Sequence, residues 1–470
     1  MKTILKNGTL ITASETFVAD ILIEGEKISL IGKDLSDPSA VVVDVSGMYV
    51  MPGGIDPHTH LDLPMFGTVS SDDHYTGGKA AAFGGTTTIM DFVVHEPEGF
   101  DHSLDIWFKM AEKSSIDHSF HMNLTRFNDQ VAKDIPRLVD YGITTLKVFT
   151  AYNGRLRLDD TSIFRALNIA KDNGMLVMAH CENGDVIEEM IPKALASGNT
   201  KPIWHANTRP KWGAVDATMR MSSMAAQADS PVYIVHMNTG GEVDMLSYAR
   251  ERGVKVMGET CPPYLFFTKK ELERPDGAKW ICSPPMRDPE DNDRLWHGLT
   301  TNELQTIGTD HCPFFYDGRK PITYEGKPVK ISGKELGAGD FTKIPNGLPG
   351  IQDRLPILWS YGVNTGKITP NQFVALNSTN VAKIFGLYPQ KGALIPGSDA
   401  DIIVWDPNKQ MTHGVANSHQ RTDYNLYEGW KLKGYPIKVF LRGKLIVDGE
   451  NWLGEAGEGK FLKRHQGVVI

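Results

Sequence analysis

The sequence predicts an α/β fold: a (β/α)8 TIM barrel joined to a small β-sandwich domain that both chain ends build. Three observations predict it. Through the middle of the chain, eight apolar strand-like runs alternate with amphipathic helical stretches, the pattern of parallel βα units. Both ends instead carry short strands separated by turn residues, with no helical pattern between them. Polar residues gather at the C-terminal ends of the strand-like runs, which is where a TIM barrel carries its chemistry.

Taken in order, residues 1–51 read as the first part of the β-sandwich, in TILKNGTLIT, ADILIEGEKISLIG with its Gly-Glu-Lys turn, and VVVDVSGMYVMPG. The barrel is expected over 52–385. Its strand candidates are MYVMPGGID, TTTIMDFV, HSFHMNL, TTLKVFT, LVMAH, PVYIVHM, KVMGET and LQTIGTD. Seven intervening helices are expected at 72–84, 102–114, 131–142, 161–174, 184–198, 214–229 and 241–253, most ending in the glycine that follows a helix. A long, weakly periodic stretch rich in Gly and Lys, about 313–340, reads as a loop insertion. Strand texture returns in GSDADIIVWDP and PIKVFLRGKLIVDGE, so 386–455 is assigned to the second part of the β-sandwich and 456–470 to a C-terminal tail.

A chain of 470 residues suits one large barrel with one accessory domain. No apolar run approaches the roughly 20 residues that span a bilayer, and the N-terminus alternates like a strand rather than a secretion signal. A formal net charge of −8 with mixed signs, and no basic stripe, argues against nucleic acid as a partner. Cys181, Cys261, Cys282 and Cys312 lack CxxC spacing and sit in apolar contexts, which suits reduced thiols in the cytoplasm.

Strand one ends in Asp56-Pro57-His58-Thr59-His60. Alternation along a strand points His58 and His60 the same way, so both imidazoles can reach one metal ion. Strands five, six and eight end in His180, His236 and Asp310. Each histidine alone is more often a core residue than a ligand, but four histidines and an aspartate, all at strand ends, form a metal-binding pattern. Strand four contributes Lys147 among apolar and β-branched neighbours. An ammonium buried there would lose its proton, and the free amine could add CO2 to give a carbamate able to bridge two metals. The plainer alternative is a lysine whose head snorkels to water at the strand end.

The segments MPGGIDPHTHLD, AAAFGGTTTIMDF, LKVFTAY, AHCENGD, YIVHMNT, GETCPPYL, SPPMR, GTDHCPF, FTKIPNGLPG and KIFGLYPQKGALIPGSDADIIVWDP, in this order over nearly the whole chain, resemble the D-hydantoinase/dihydropyrimidinase branch of the amidohydrolase superfamily. The resemblance implies metal-dependent hydrolysis of the cyclic amide of 5-monosubstituted hydantoins and 5,6-dihydropyrimidines to N-carbamoyl amino acids. It implies two divalent ions per chain, most commonly zinc with manganese or cobalt also accepted. His58, His60, Lys147 as N6-carboxylysine and Asp310 would hold one ion, and Lys147, His180 and His236 the other. A bridging hydroxide would attack, Asp310 would act as general base and acid, and Tyr152 would stabilise the oxyanion. Ser283 and Asn346 match positions whose main-chain groups bind the substrate imide.

Side-chain selectivity is expected from Leu63, Pro64, Met65 and Phe66 after strand one and from Asn153, Gly154, Arg155 and Leu156 after strand four. The family commonly has an aromatic where Leu156 falls, which puts a preference for aryl-substituted hydantoins in doubt. Asp91 and Glu259 lie near strand ends as candidates for orienting imidazoles or for caps and salt bridges. A homotetramer or homodimer is implied. The alternatives are an allantoinase-like or dihydroorotase-like cyclic amidohydrolase, or a non-catalytic dihydropyrimidinase-related scaffold; the full set of metal-competent residues opposes the scaffold.

Overall fold

The computed structural model describes residues 2–65 and 67–470. Eight parallel strands form the barrel in sequence order: Gly54–Thr59, Thr86–Val93, Asp117–Asn123, Thr145–Phe149, Leu176–His180, Val232–Ile234, Val256–Thr260 and Thr306–Ile307. Strands one and eight meet through a bridge between Thr59 and His311, and the Asp56 carboxylate accepts from Thr309 N at 3.1 Å and Thr309 Oγ1 at 2.6 Å. The strands are buried on both faces, as parallel barrel strands must be, which is why they read as continuous apolar runs rather than alternating ones. Met90, Phe92, Met178, Tyr233 and Met257 point into one interior cluster, which Phe385, Leu387 and Leu462 complete.

Six of the seven expected helices are present as α-helices; the one expected at 131–142 is a short α-helix, Asp129–Asp134, that Pro136 turns into a 3-10 segment, Ile135–Val139, and a further helix, Pro289–Thr300, links strands seven and eight. Its start signal was in the sequence, with Asp288 at the N-cap, Pro289 in the first turn and Glu290 and Asp291 behind it. Two histidine-bearing strand ends lead into capped helices. Asn183 caps Gly184–Ala196 just after His180, and Thr239 makes a capping box with Glu242 just after His236. Each cap fixes the angle at which the chain leaves the strand carrying a candidate ligand. The 313–340 stretch holds a short hairpin, Ile322–Tyr324 with Lys327–Val329, and the single turn Lys334–Gly337.

Both chain ends build a separate nine-stranded sheet. The central pairings are mixed in origin: Tyr49–Pro52 from the N-terminal part runs antiparallel to Ile402–Thr412 from the C-terminal part. Ile28, near one end of the strand order, and Phe440, near the other, share a core with Leu10, Ile21, Val50 and Ile402, so the sheet folds over its own apolar face. The last residues return to the barrel. Leu462 N donates to His118 O at 2.7 Å, and the Arg464 guanidinium is buried against Ser119 and Thr145, sealing the N-terminal end of strands three and four.

Candidate active site

The strand ends bring the predicted residues together in two groups. In the first, His58 Nε2 and His60 Nε2 converge on one oxygen of Asp310, at 3.2 Å and 3.1 Å. In the second, His180 Nδ1 faces His236 Nε2 at 3.0 Å. The groups adjoin: the His58 and His236 rings lie 5.4 Å apart, and ligand atoms of His58, His236 and Asp310 all fall within 4.8 Å of one another. Lys147, 2% exposed, sits below them with its amine 4.9 Å from the centre of the Phe92 ring, which also packs against His58 and His60.

The side chains are held from behind. His58 Nδ1 lies 2.7 Å from Glu259 Oε1, which leaves Nε2 as the free lone pair. Glu259 Oε2 accepts from the Tyr233 hydroxyl at 3.0 Å, and Oε1 also accepts from His236 N at 3.2 Å. Gly308 makes this possible, because a Cβ there would come within 2.7 Å of Glu259 Oε2 and 3.0 Å of His58 Cβ. His180 Nε2 is likewise engaged by Glu182 Oε2 at 2.9 Å, so Nδ1 is the nitrogen turned to the centre. Glu182 was not singled out in the sequence; strand alternation from His180 puts it on the same face, and that signal could have found it. Asp91 does not touch an imidazole. It accepts from Thr59 Oγ1, Leu61 N and Trp107 Nε1 at 3.0, 2.8 and 3.1 Å and anchors the loop after strand one.

Three of the candidate residues carry backbone strain. Tyr152, His236 and Asp310 have φ of 67°, 38° and 52°, a left-handed conformation that non-glycine residues avoid unless the surroundings impose it. That strain re-aims the three side chains at the end of their strands. Tyr152 reaches back over the site with its ring 5.1 Å from that of His180 and its hydroxyl close to the Ser283 side chain. Asn346 Nδ2 donates to Ser283 Oγ at 3.1 Å, so Tyr152, Ser283 and Asn346 form a polar wall beside the histidines. Of the selectivity loops, Phe66 lies outside the described residues. Leu63 is buried, and Asn153 is tied to Asp185 at 2.8 Å.

Burial sets the protonation states. It holds the His58 and His236 imidazoles well below the usual histidine value, so both are neutral and can donate lone pairs. Burial also lowers the Lys147 amine to about 8 and raises the Glu259 carboxyl to about 7. Asp310 goes the other way: burial would raise it, but the hydrogen bond from His60 and the nearby His60 and Lys147 charges act against burial and hold its carboxyl below the usual value. The buried His60 Nδ1 and His236 Nδ1 have no hydrogen-bond partner. Neutral imidazoles with lone pairs aimed at a common centre, beside a carboxylate held ionised, form a donor set that fits divalent cations.

Comparison with known proteins gives three findings. Residues 49–446 match the model of the Amidohydrolase family. The chain is 44% identical over 469 residues to a D-hydantoinase of Geobacillus stearothermophilus, covering 99% of this chain and 97% of that one, and 42% identical to a D-hydantoinase of Ralstonia pickettii over 99% of each. The crystal structure of dihydropyrimidinase from Brevibacillus agri NCHU1002 superposes with a TM-score of 0.95 at 46% identity, covering 100% of both chains.

Proposed function

Since the chain belongs to the amidohydrolase family and to its hydantoinase/dihydropyrimidinase branch, and is thus a hydrolase of cyclic amides, we propose that it opens 5-monosubstituted hydantoins and 5,6-dihydropyrimidines to N-carbamoyl amino acids. The observation that carries this reading is the convergence of His58 Nε2 and His60 Nε2 on the Asp310 carboxylate, with the outer nitrogen of His58 locked by Glu259.

Two divalent cations, zinc or alternatively manganese or cobalt, would be held by His58, His60, Asp310, His180 and His236 with Lys147 shared between them, and when bound would supply Lewis acidity that activates water and polarises the amide carbonyl. Lys147 takes part as its carbamate. The free amine forms an N–C bond to CO2, one C=O pair moves onto oxygen, and the nitrogen proton is lost to solvent, leaving an anionic group at a position that otherwise offers only an amine. An amine lowered to about 8 is partly unprotonated near neutrality, as this step requires.

The remaining steps belong to side chains. Asp310, held ionised, accepts the proton of the attacking water and returns it to the ring nitrogen as the C–N bond breaks, so that a neutral amide nitrogen departs. Burial keeps the Tyr152 phenol protonated well above neutral pH, and its O–H donates to the oxygen on which charge develops. Main-chain groups of Ser283 and Asn346 hold the imide of the ring. The family likeness points to a homotetramer or homodimer. Purified enzyme supplied with divalent metal and bicarbonate, assayed on dihydrouracil and on each enantiomer of a 5-monosubstituted hydantoin, is expected to turn over both substrate classes, with about two metal ions retained per chain. Turnover of neither substrate class would overturn the assignment.

A further inference from the structure

The turn Lys334–Gly337 within the 313–340 stretch carries a lysine that the chemistry above does not use. Lys334 is 1% exposed. Its amine donates to Ile281 O at 3.1 Å and to Pro345 O at 2.9 Å, and among the described residues no carboxylate lies within ion-pair reach of it. The neighbouring Glu335 turns its carboxylate onto Gly318 N and Gly333 N instead. Burying an amine with no anion beside it is unfavourable, and an apolar side chain would serve better there unless the two carbonyls need a donor.

Those two carbonyls flank the polar wall. Ile281 lies two residues before Ser283 and Pro345 immediately before Asn346. Ile281 O also accepts from Gly347 N at 3.1 Å, and Cys282 O lies 2.8 Å from His205 Nε2. So the carbonyls of Ile281, Cys282 and Pro345 are all occupied. By contrast, among the described residues the backbone groups of Ser283 and Asn346 make no hydrogen bond within the chain. The fold pins the approach to each residue and leaves that residue's own main chain free.

We propose that Lys334 is a positioning residue: its amine clamps the Ile281 and Pro345 segments at a set separation and thereby aligns the Ser283 and Asn346 main chains on the cyclic imide. This rests on the reading of Ser283 and Asn346 as the imide contacts. The clamp does not need the charge. Burial lowers the Lys334 amine to about 7, and the neutral amine still has two N–H bonds for the two carbonyls.

The test is steady-state kinetics of metal-loaded enzyme with dihydrouracil and a 5-monosubstituted hydantoin, comparing wild type with Lys334→Met and Lys334→Gln. Lys334→Met, similar in length but without a donor, is expected to raise KM about tenfold or more with kcat within about threefold and the metal content unchanged. Lys334→Gln, whose shorter amide can reach one carbonyl, should raise KM by an intermediate factor. If Lys334→Met keeps KM within about twofold of wild type and shows only a lower thermal midpoint, the lysine is a packing element and the proposal is wrong. Should Lys334→Met not fold, an unchanged KM in Lys334→Gln overturns it equally. A wild-type enzyme inactive on both substrates would remove the functional reading and this inference together, whereas active wild type with unaltered variants removes this inference alone.

Discussion

Lys147 and Lys391 are each 2% exposed, yet they occupy opposite electrostatic regions of the molecule. Lys391 lies where the N-terminal end of barrel strand three meets the end sheet, with its amine 2.6, 2.7 and 3.1 Å from the carboxylates of Asp117, Asp401 and Asp399. Although burial opposes its charge, these three anions outweigh burial and raise its pKa. Lys147 lies at the other end of the barrel against Phe92 and Phe149, with no carboxylate in ion-pair reach among the described residues, and burial prevails. Equal burial therefore does not decide the state of a lysine; the compensating charge does. One region uses the ammonium to join two parts of the fold. The other leaves an amine without an ion-pair partner and thus available for chemistry.

If that contrast is right, the two lysines fail in different assays. Lys147→Ala is expected to lower kcat/KM by about four orders of magnitude or more, while the metal-free variant keeps a thermal midpoint near that of metal-free wild type, because the amine makes no ion pair among the described residues. Small carboxylic acids added to the variant should restore part of the activity by occupying the place of the proposed carbamate. Lys147→Arg should be equally inactive, since a guanidinium stays protonated and cannot add CO2. Full activity in Lys147→Ala would break the comparison at its catalytic end.

Lys391→Met should behave in the reverse way. It leaves three carboxylates with only Arg442 beside Asp117 and the half-exposed Lys27 beside Asp399, and removing one partner from a buried ion cluster costs about 3–5 kcal/mol. Denaturant unfolding should register that loss, while kcat of the folded fraction stays within about twofold of wild type. A loss below about 1 kcal/mol would place the cluster among ion pairs that contribute little.

How far each region could be read in the sequence follows from the range of its contacts. The candidate site residues announced themselves because strand periodicity, a local property, placed His58 and His60 on one face and His180, His236 and Asp310 at strand ends. Lys147 stood out since its neighbours in sequence are apolar. The helix Pro289–Thr300 was missed, although its start signal was present, because Glu290, Asp291, Asn292, Asp293 and Arg294 mask the apolar stripe of Leu295, Trp296 and Leu299. Lys391 was invisible. Its sequence neighbours, Gln390 and Gly392, read as an exposed turn, and its partner Asp117 lies 274 residues away. Glu259 and Glu182 fall between these cases: alternation places them on the right faces, but only the folded barrel shows which imidazole each one meets.

The smallest expected effect is the pH dependence of the Lys391 penalty, and it separates charge from packing. Burial would raise Asp117 and Asp399, but Lys391, with Arg442 at Asp117 and Lys27 at Asp399, holds both below the usual carboxylate range; for Asp401 burial dominates and the pKa is raised. A depressed carboxylate contributes stability that is present above its unfolded value of about 3.9 and disappears as pH falls through the folded value. The raised Lys391 contributes below its unfolded value of about 10.4, so its term is constant between pH 4 and 7. Wild-type stability from Asp117, Asp399 and Lys391 should therefore hold from pH 7 down to about 4 and weaken below that. Without the lysine cation the three carboxyls shift upward and take up protons earlier, which relieves their burial. The stability gap between wild type and Lys391→Met should thus narrow by about 1–2 kcal/mol between pH 7 and 4.5, measured by urea unfolding at each pH. A gap independent of pH would mean that the lysine acts through the packing of its aliphatic stem, and the contrast with Lys147 would then be one of shape rather than of charge.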